Sequence, residues 1–463
     1  MPKDSTINVQ TFLNENPFSF YQWIVFSLCF FVVLLDGFDT AAIGYIAPSL
    51  LKEWTLTRPA LGPVLSAALF GLAAGALLAG PLADLVGRKL VLIGAVLLFS
   101  LACLGSSFAG NLNILTTARF ITGVGLGAAM PNAITLISEY CPDRRRAVLT
   151  NAMFCGFPLG AAFGGFLAAW MIPQWGWRSV LMLGGTAPLV LVVLMGFFLP
   201  ESVRYLVAKK LPLEKIRAVL TRISATAAQA QNFIITERAP KTAAKSGFGV
   251  ILSRNYLVGS VMMWLTYFMG LVIFYALINW MPLLMKDAGL DPKTATLVSA
   301  LFPLGGVGAI LFGWLMDRTN ANYVIALGYV LTAVAIYAIG QAVGNVGLLM
   351  LLVLVAGTLM NTAQSSMPAL AAGFYPTQGR ATGVAWMLGI GRFGGIAGSV
   401  LVAELTARQL GTSQIFAIIA VPGLIAALAL LIKQAVHPET SREHNVAVTE
   451  AHRHEAEAQL GGH

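Results

Sequence analysis

Charged side chains inside long apolar segments are the residues of this sequence that are placed to do chemistry. Two aspartates, Asp36 and Asp39, lie in the first apolar segment, and two arginines, Arg119 and Arg392, lie in later segments. An ionised side chain at the centre of a bilayer costs about 2.5 to 3.5 kcal/mol on insertion scales, so such residues mark functional sites. Because no histidine precedes His437, carboxylates must carry any proton through these segments.

The two aspartates are spaced i, i+3 and therefore lie on the same face of a helix, about one turn from each other. Two carboxylates at this separation resist joint ionisation, so one of them can bind and release a proton as its surroundings change. We interpret Asp36 and Asp39 as a proton-coupling pair. The alternative is that protonated aspartates only hydrogen-bond neighbouring helices.

Arg119 and Asp39 are predicted to lie at the same depth in the membrane. With a rise of about 1.5 Å per residue, Asp39 lies about 12 Å from the outer end of its span and Arg119 about 10 Å from the outer start of its own. We expect Arg119 to pair with Asp39 when the aspartate is ionised and to be released when it is protonated. A permanent, purely structural ion pair is the alternative.

Arg392 is predicted to lie about 18 Å from the inner end of its span, near the middle of the bilayer. No acidic residue in the spans of the second half lies at a similar depth. A planar guanidinium binds carboxylates bidentately, so the predicted partner is a substrate carboxylate. Pairing with an aspartate of the first half is the alternative.

Membrane-spanning helices must position these residues. The chain has 463 residues, of which 57% are hydrophobic and 11% charged, and a soluble domain has about 25% charged residues, so a water-soluble globular protein is excluded. Long unbroken apolar runs disfavour a transmembrane β-barrel, whose strands alternate. The sequence predicts an all-α integral membrane protein with twelve transmembrane helices in two six-helix bundles. The predicted spans are 21–46, 61–82, 90–108, 112–136, 147–171 and 177–199, then 257–284, 294–316, 323–341, 348–371, 381–405 and 415–433.

The charge distribution predicts the orientation. The chain divides into a bundle at 1–200, a basic linker at 201–255, a second bundle at 256–435 and a tail at 436–463 that we expect to be disordered. With both termini in the cytoplasm, 21 of the 29 Lys and Arg residues lie on inner segments, 6 on outer segments and 2 within spans. By the positive-inside rule, the net charge of +9 reflects the orientation of a multi-pass membrane protein and not a nucleic-acid partner.

Several landmarks recur at a nearly constant offset in the two halves. The segment from Gly80 to Asp84 is echoed by Gly313 to Asp317, and Arg146 is echoed by Arg380. Parallel repeats of this kind are typical of secondary transporters.

The segment Gly80-Pro-Leu-Ala-Asp84-Leu-Val-Gly87-Arg88-Lys89 resembles the signature between the second and third helices of the major facilitator superfamily. Leu85 departs from it, because a basic residue is usual there. The segments Arg119 to Gly127 and Pro200 to Leu206 resemble that superfamily's fourth-helix and sixth-helix motifs. The resemblance implies that the first signature serves a gate, together with its echo in the second half. The predicted gate residues are Gly80, Asp84, Gly87, Arg88, Asp317 and Arg318.

Within that superfamily, Leu35-Asp36-Gly37-Phe38-Asp39-Thr40 resembles the first-helix signature of the aromatic acid:proton symporters. This resemblance implies uptake of a small aromatic carboxylate, such as a hydroxybenzoate, together with protons. It also implies that Glu139 joins the aspartates in proton coupling and that Arg119 and Arg392 belong to the substrate pathway. Aromatic rings could sandwich a benzoate ring. The candidates are Phe38, Tyr45, Phe154, Phe157, Trp264, Tyr267, Tyr275, Trp280, Trp386 and Phe393, of which Phe38, Trp386 and Phe393 are selected. The resemblance also implies a multi-pass location in a bacterial inner membrane.

Other functions stay open at this point. A sugar or polyol symporter, another organic-anion symporter, a drug exporter and a transporter-like receptor are the alternatives. The sequence contains no nucleophile–base arrangement, no cofactor loop and no cysteine or histidine spacing for a metal. We therefore expect a monomeric transporter in the lipid bilayer, with no cofactor, no metal and no enzymatic activity.

Overall fold

The computed structural model describes residues 6–234, 249, 251–308, 320–342, 344–375 and 377–438. Among these residues, eleven helices are long and apolar enough to cross a membrane. Because hydrocarbon offers no hydrogen-bond partners, a spanning segment must satisfy its backbone groups internally, as a helix does. The prediction of an all-α, multi-pass membrane protein is confirmed.

The first half consists of six spans that follow a short helix. Ser19 and Gln22 form a capping box that starts the first span, and Asn111 caps the fourth. Cys155 interrupts the fifth span, which is therefore two helices. The helices are α1 (Val9–Glu15), α2 (Phe20–Glu53), α3 (Leu61–Val86), α4 (Arg88–Ser107), α5 (Leu112–Tyr140), α6 (Asp143–Phe154), α7 (Gly156–Trp175) and α8 (Trp177–Phe198).

The first part of the predicted linker folds against the first half. It forms α9 (Val203–Ala208), α10 (Leu213–Leu220) and strand β2 (Asn232–Ile234). Strand β1 (Thr6–Asn8), near the N-terminus, pairs with β2 in parallel. Apolar side chains of α1 and of these linker segments are buried in one cluster with the neighbouring ends of the spans. This cluster includes Phe12, Leu206, Ile216, Leu220 and Phe233. We call this side of the molecule the linker end and the opposite side the far end.

The second half supplies the remaining spans. They are formed by α11 (Leu257–Asp287), α12 (Pro292–Leu304), α13 (Ala321–Gln341), α14 (Val346–Phe374), α15 (Thr377–Ala407) and α16 (Thr412–Val436). The predicted eighth span, 294–316, begins as α12 and continues through the turn Gly305–Gly308, and its remainder lies outside the described residues. The predicted tail lies outside them from residue 439 onward.

The two halves repeat the same close helix contacts. A Cβ atom at Gly160 of α7 would overlap the carbonyl oxygen of Leu34 on α2, so only glycine fits. A Cβ atom at Gly394 of α15 would overlap the carbonyl oxygen of Phe268 on α11. The shift in numbering from Gly160 to Gly394 equals the shift from Leu34 to Phe268, and we call it the repeat offset. The first and fifth spans therefore pack as the seventh and eleventh do.

A second set of contacts obeys the same repeat offset. Gly123 of α5 packs against the carbonyl of Ala68 on α3, and Gly357 of α14 packs against the carbonyl of Phe302 on α12. The predicted pair of six-helix bundles with parallel topology is confirmed, with α12 in the position of the eighth span.

The halves are joined at the far end. Arg58 and Asp287 form an ion pair of 2.7 Å across the halves, and the side-chain amide of Asn279 donates to the carbonyl of Leu65 at 3.3 Å. These two polar contacts hold the first half against the second at the far end.

Candidate functional site

Helices α2 and α5 bring Asp39 and Arg119 together inside the first half. Both side chains are fully buried, and Arg119 Nη1 lies 2.8 Å from Asp39 Oδ1. Arg119 Nη2 also donates to the backbone carbonyl of Asp39 at 3.1 Å. The pairing predicted from the depths of the two residues is present in the structure.

This buried pair is not fully satisfied. Asp39 Oδ2 and Arg119 Nε have no hydrogen-bond partner among the described residues. The thiol of buried Cys103 borders the pair and donates to the carbonyl of Leu181 at 3.4 Å. In a site of low dielectric constant, an unfilled acceptor on a carboxylate is costly, so this pair is less favourable than one with every hydrogen bond made.

Asp36 has different surroundings from Asp39. Its side chain is buried, and its carboxylate accepts a hydrogen bond from the Thr40 hydroxyl at 3.3 Å. It interacts electrostatically with Arg392 and Tyr275 of the second half. The two aspartates thus divide between two places: Asp39 is enclosed within the first half, and Asp36 lies at the boundary between the halves.

Arg392 lies at the same boundary. Its Nη1 atom donates to the carbonyl of Leu72 in the first half at 3.1 Å. It interacts electrostatically with Asp36 and with Tyr267 and Tyr275, but it forms no ion pair with any carboxylate in the described part of the chain. A half-buried guanidinium that forms no ion pair can bind an anion.

A set of aromatic rings joins the halves beside these charges. The ring of Phe274 lies 6.1 Å from that of Phe157 in the first half, 5.3 Å from Tyr275 and 6.0 Å from Phe302. We call these four rings the aromatic cluster. Phe157 and Tyr275 are among the aromatic candidates from the sequence, although they were not the selected ones, and Phe274 and Phe302 were not named, because nothing in the sequence distinguishes them from the other aromatic residues of the spans.

The three aromatic residues that the sequence selected lie elsewhere. Phe38 packs against Gly164 and Gly184, between α2, α7 and α8. Phe393 is 61% exposed, and helical geometry turns it away from the side of α15 that packs on α11. Trp386 stacks against Trp264 with ring centroids 5.9 Å apart, closer to the linker end than Arg392. The structure does not bring Phe38 or Phe393 into the aromatic cluster.

Glu139 lies far from Asp36 and Asp39, the two aspartates with which the sequence analysis grouped it. It lies 20 residues after Arg119 on α5, which corresponds to about 30 Å along the helix axis. Its carboxylate accepts a hydrogen bond from the Ser202 hydroxyl and lies 3.8 Å from Arg88 Nε. The structure thus places Glu139 beside the predicted gate residue Arg88 at the linker end, and its role in proton coupling stays a prediction.

Glu201 organises the turn between α3 and α4. Its Oε1 atom accepts hydrogen bonds from the backbone N–H groups of Arg88 at 2.9 Å and Lys89 at 3.2 Å. Gly87 has φ +101°, and a Cβ atom there would overlap Glu201 Oε2. A residue with a side chain would therefore be strained and would displace the carboxylate.

Sequence reasoning did not select Glu201 or Ser202 as gate residues, although both lie in the motif quoted after the sixth span. Of the selected residues, Arg88 and Gly87 are in this network, and Gly80 has open space around it. The side chain of Asp84 and the whole of Asp317 and Arg318 lie outside the described residues.

The charged site breaks the symmetry that the helix packing obeys. Adding the repeat offset to a tight glycine contact of the first half gives a tight glycine contact of the second half. No charged residue of the site has a charged residue at the equivalent position. The residues equivalent to Asp36, Asp39, Arg119 and Arg392 are Gly270, Ile273, Val353 and Pro158. The helix packing is therefore repeated in the two halves, whereas the charged residues of the site occur only in one copy.

Two repeated six-helix halves with charged side chains between them at mid-depth define a secondary transporter. The chain matches the Major Facilitator Superfamily over residues 29–323 and 284–458. The chain belongs to this superfamily, as its motifs predicted, and it is a transporter and not an enzyme. Among the described residues, no group of three or more His, Cys, Asp or Glu side chains could hold a metal ion.

Its relatives carry the names of aromatic acid carriers. The 4-hydroxybenzoate transporter PcaK of Pseudomonas aeruginosa is 51% identical over 438 residues, which cover 94% of this chain and 98% of that protein. The gallate transporter of Pseudomonas putida is 46% identical over 431 residues, which cover 93% and 96%. The inward open conformation of the xylose transporter XylE from Escherichia coli has a TM-score of 0.69 at 19% identity and covers 90% of this chain and 97% of that one, a likeness of fold.

Replacing Arg119 by alanine should lower the thermal unfolding temperature of the purified protein strongly. The change leaves the Asp39 carboxylate buried without its partner, and breaking a buried pair in this way costs about 3 to 5 kcal/mol. The variant Asp39→Asn combined with Arg119→Gln removes both charges and should unfold closer to the unaltered protein. Equal unfolding temperatures for Arg119→Ala and the unaltered protein would show that the pair contributes no stability.

Proposed function

We propose that this protein imports a small aromatic carboxylate, such as a hydroxybenzoate, together with protons across a bacterial inner membrane. The observation that carries the proposal is the position of Arg392. Its guanidinium lies between the halves, next to the aromatic cluster, and no carboxylate of the described residues neutralises it. A benzoate-like ligand supplies both missing parts, an anion for the guanidinium and a ring for the aromatic side chains.

The names of the relatives support this substrate class. 4-hydroxybenzoate and gallate are both aromatic carboxylates with ring hydroxyls, and both names belong to proteins that match nearly all of this chain. The linker end faces the cytoplasm in this proposal, because most Lys and Arg residues lie there. Trp386 then flanks the cytoplasmic side of the binding site.

Coupling depends on the two aspartates. Ionised Asp39 holds α2 to α5 through Arg119, and its protonation weakens that link. Asp36, at the boundary, responds to the charge of Arg392 and of its bound anion. Protonation and substrate binding thereby act on the same helix, α2, and favour the rearrangement that opens the opposite side.

The network around Glu201 serves as the cytoplasmic gate in this proposal. It joins the α3–α4 turn to the inner end of α5 and to the segment after α8 through Arg88, Glu139 and Ser202. It keeps the inner ends of the first half together as one body while that half moves against the second.

Stoichiometry sets the driving force. One proton carried with a monoanion moves no net charge, so one pH unit supplies about 1.4 kcal/mol, or about tenfold accumulation. A second proton would add about 2.3 kcal/mol per 100 mV of membrane potential.

Replacing Arg392 by lysine should raise the KM for 4-hydroxybenzoate by about tenfold or more. Lysine keeps the charge but loses the planar fork that binds a carboxylate bidentately. Initial uptake rates of the labelled acid, measured over a range of concentrations, give the value. The conservative variant Arg408→Lys, at an exposed ion pair on the far end, is the control and should behave as the unaltered protein. An unchanged KM for Arg392→Lys would contradict direct binding of the substrate.

Replacing Asp39 by asparagine should abolish accumulation of 4-hydroxybenzoate against its gradient. Asparagine cannot take up a proton, so the pH difference no longer drives transport. The measurement is the steady-state ratio of inside to outside ligand in proteoliposomes with an acidic exterior. Glu404→Gln, which removes an exposed carboxylate from the far end, is the matched control. Full accumulation by Asp39→Asn would remove this residue from coupling.

A further inference from the structure

We propose that the hydroxyl of Tyr275 donates a hydrogen bond to the carboxylate of the bound aromatic acid, beside the guanidinium of Arg392. This inference rests on the proposed function and adds a second ligand for the carboxylate. It is carried by three features of Tyr275: its fixed ring, its unused hydroxyl and its position between two charges.

The ring of Tyr275 is held by its neighbours. A Cβ atom at Gly395 would lie 2.6 Å from the ring, so Tyr275 packs directly on α15 at this glycine. Gly395 lies three residues after Arg392, which places the tyrosine about one helical turn from the base of the arginine. On its other side, the ring of Phe274 meets it edge to face at 5.3 Å. The orientation of the phenol is therefore set before any ligand arrives.

The hydroxyl of Tyr275 makes no hydrogen bond with any residue in the described parts of the chain. Tyr275 is only partly buried, whereas the fully buried tyrosine hydroxyls of this protein donate to protein acceptors, because an unpaired polar group is costly in an apolar interior. Tyr45 donates to the carbonyl of Ala161, Tyr140 to that of Glu201, Tyr329 to Gln364 and Tyr375 to Ser260. Tyr275 thus keeps a donor available.

The charges around Tyr275 identify the acceptor. The residue interacts electrostatically with Asp36 of α2 and Arg392 of α15, so it lies where the first half and the second half meet. An anion that binds Arg392 there places an oxygen within reach of the phenol. A hydrogen bond from a phenol to a carboxylate is charge-assisted and stronger than one between neutral groups.

The repeat shows that this arrangement is specific to the site. By the repeat offset, the residue of the first half equivalent to Tyr275 is Ala41, and the residue equivalent to Arg392 is Pro158. Neither the phenol nor the guanidinium is therefore required by the packing that the two halves share. Both belong to the asymmetric part of the structure, together with Asp36.

The test compares the binding of two ligands by three forms of the purified, full-length protein. 4-hydroxybenzoate and benzoate share the carboxylate and differ in the ring hydroxyl, and calorimetric titration gives a Kd for each. In Tyr275→Phe, both Kd values should rise by about tenfold, since the lost bond is to a charged group. Tyr45→Phe, which loses a hydrogen bond inside the first half, should bind both ligands as the unaltered protein does.

Two outcomes would overturn the inference. Unchanged Kd values for Tyr275→Phe would show that the hydroxyl does not touch the ligand, and weaker binding of 4-hydroxybenzoate alone would show that it contacts the ring hydroxyl instead. Thermal unfolding without ligand verifies that Tyr275→Phe keeps its ring packing. If the unaltered protein bound neither acid, the proposed function and this inference would both be wrong, whereas the first two outcomes leave the proposed function intact.

Discussion

The cost of placing charge in hydrocarbon governs this structure. Asp39 and Arg119 form an ion pair inside the first half, at a distance of 2.8 Å. Arg392 has only the carbonyl of Leu72 and the nearby Asp36, and an isolated carbonyl does not neutralise a guanidinium. The first pair can remain closed without a ligand, but the second site gains from an organic anion. In the proposed mechanism, the ligand and the proton each complete a charge that the fold leaves incomplete.

The helix packing provides a scaffold that can move around this charge. Glycines at equivalent positions bring backbones into contact in both halves, as at Gly160 and Gly394. Such contacts lie inside each half and depend on shape, so they hold each half together as one body that can move against the other. The ion pair between Arg58 and Asp287 is exposed at the far end, where water reduces the cost of breaking it.

Sequence periodicity and charge were enough to predict the helical class, the two halves and the pairing of Asp39 with Arg119. The rise per residue placed Asp39 and Arg119 level with each other, and they are paired. The direction of a side chain around its helix was not predictable, because it depends on how neighbouring helices cross. Phe38 therefore faces Gly164 and not the site.

Glu139 was assigned by resemblance, without the depth argument that would have separated it from Asp39. The capping of α4 by Glu201 joins segments that are far apart in the sequence, and no local pattern indicates it.

The most direct test of coupled transport is the movement of protons that accompanies the substrate. Purified protein in liposomes that contain a pH-sensitive dye would receive 4-hydroxybenzoate outside, with equal pH on both sides and protein-free liposomes as the reference for passive entry. The account predicts that the interior becomes acidic faster than in the reference liposomes, at a rate that follows the entry of the labelled acid. Entry of the labelled acid above the reference rate with no additional change of internal pH would contradict it.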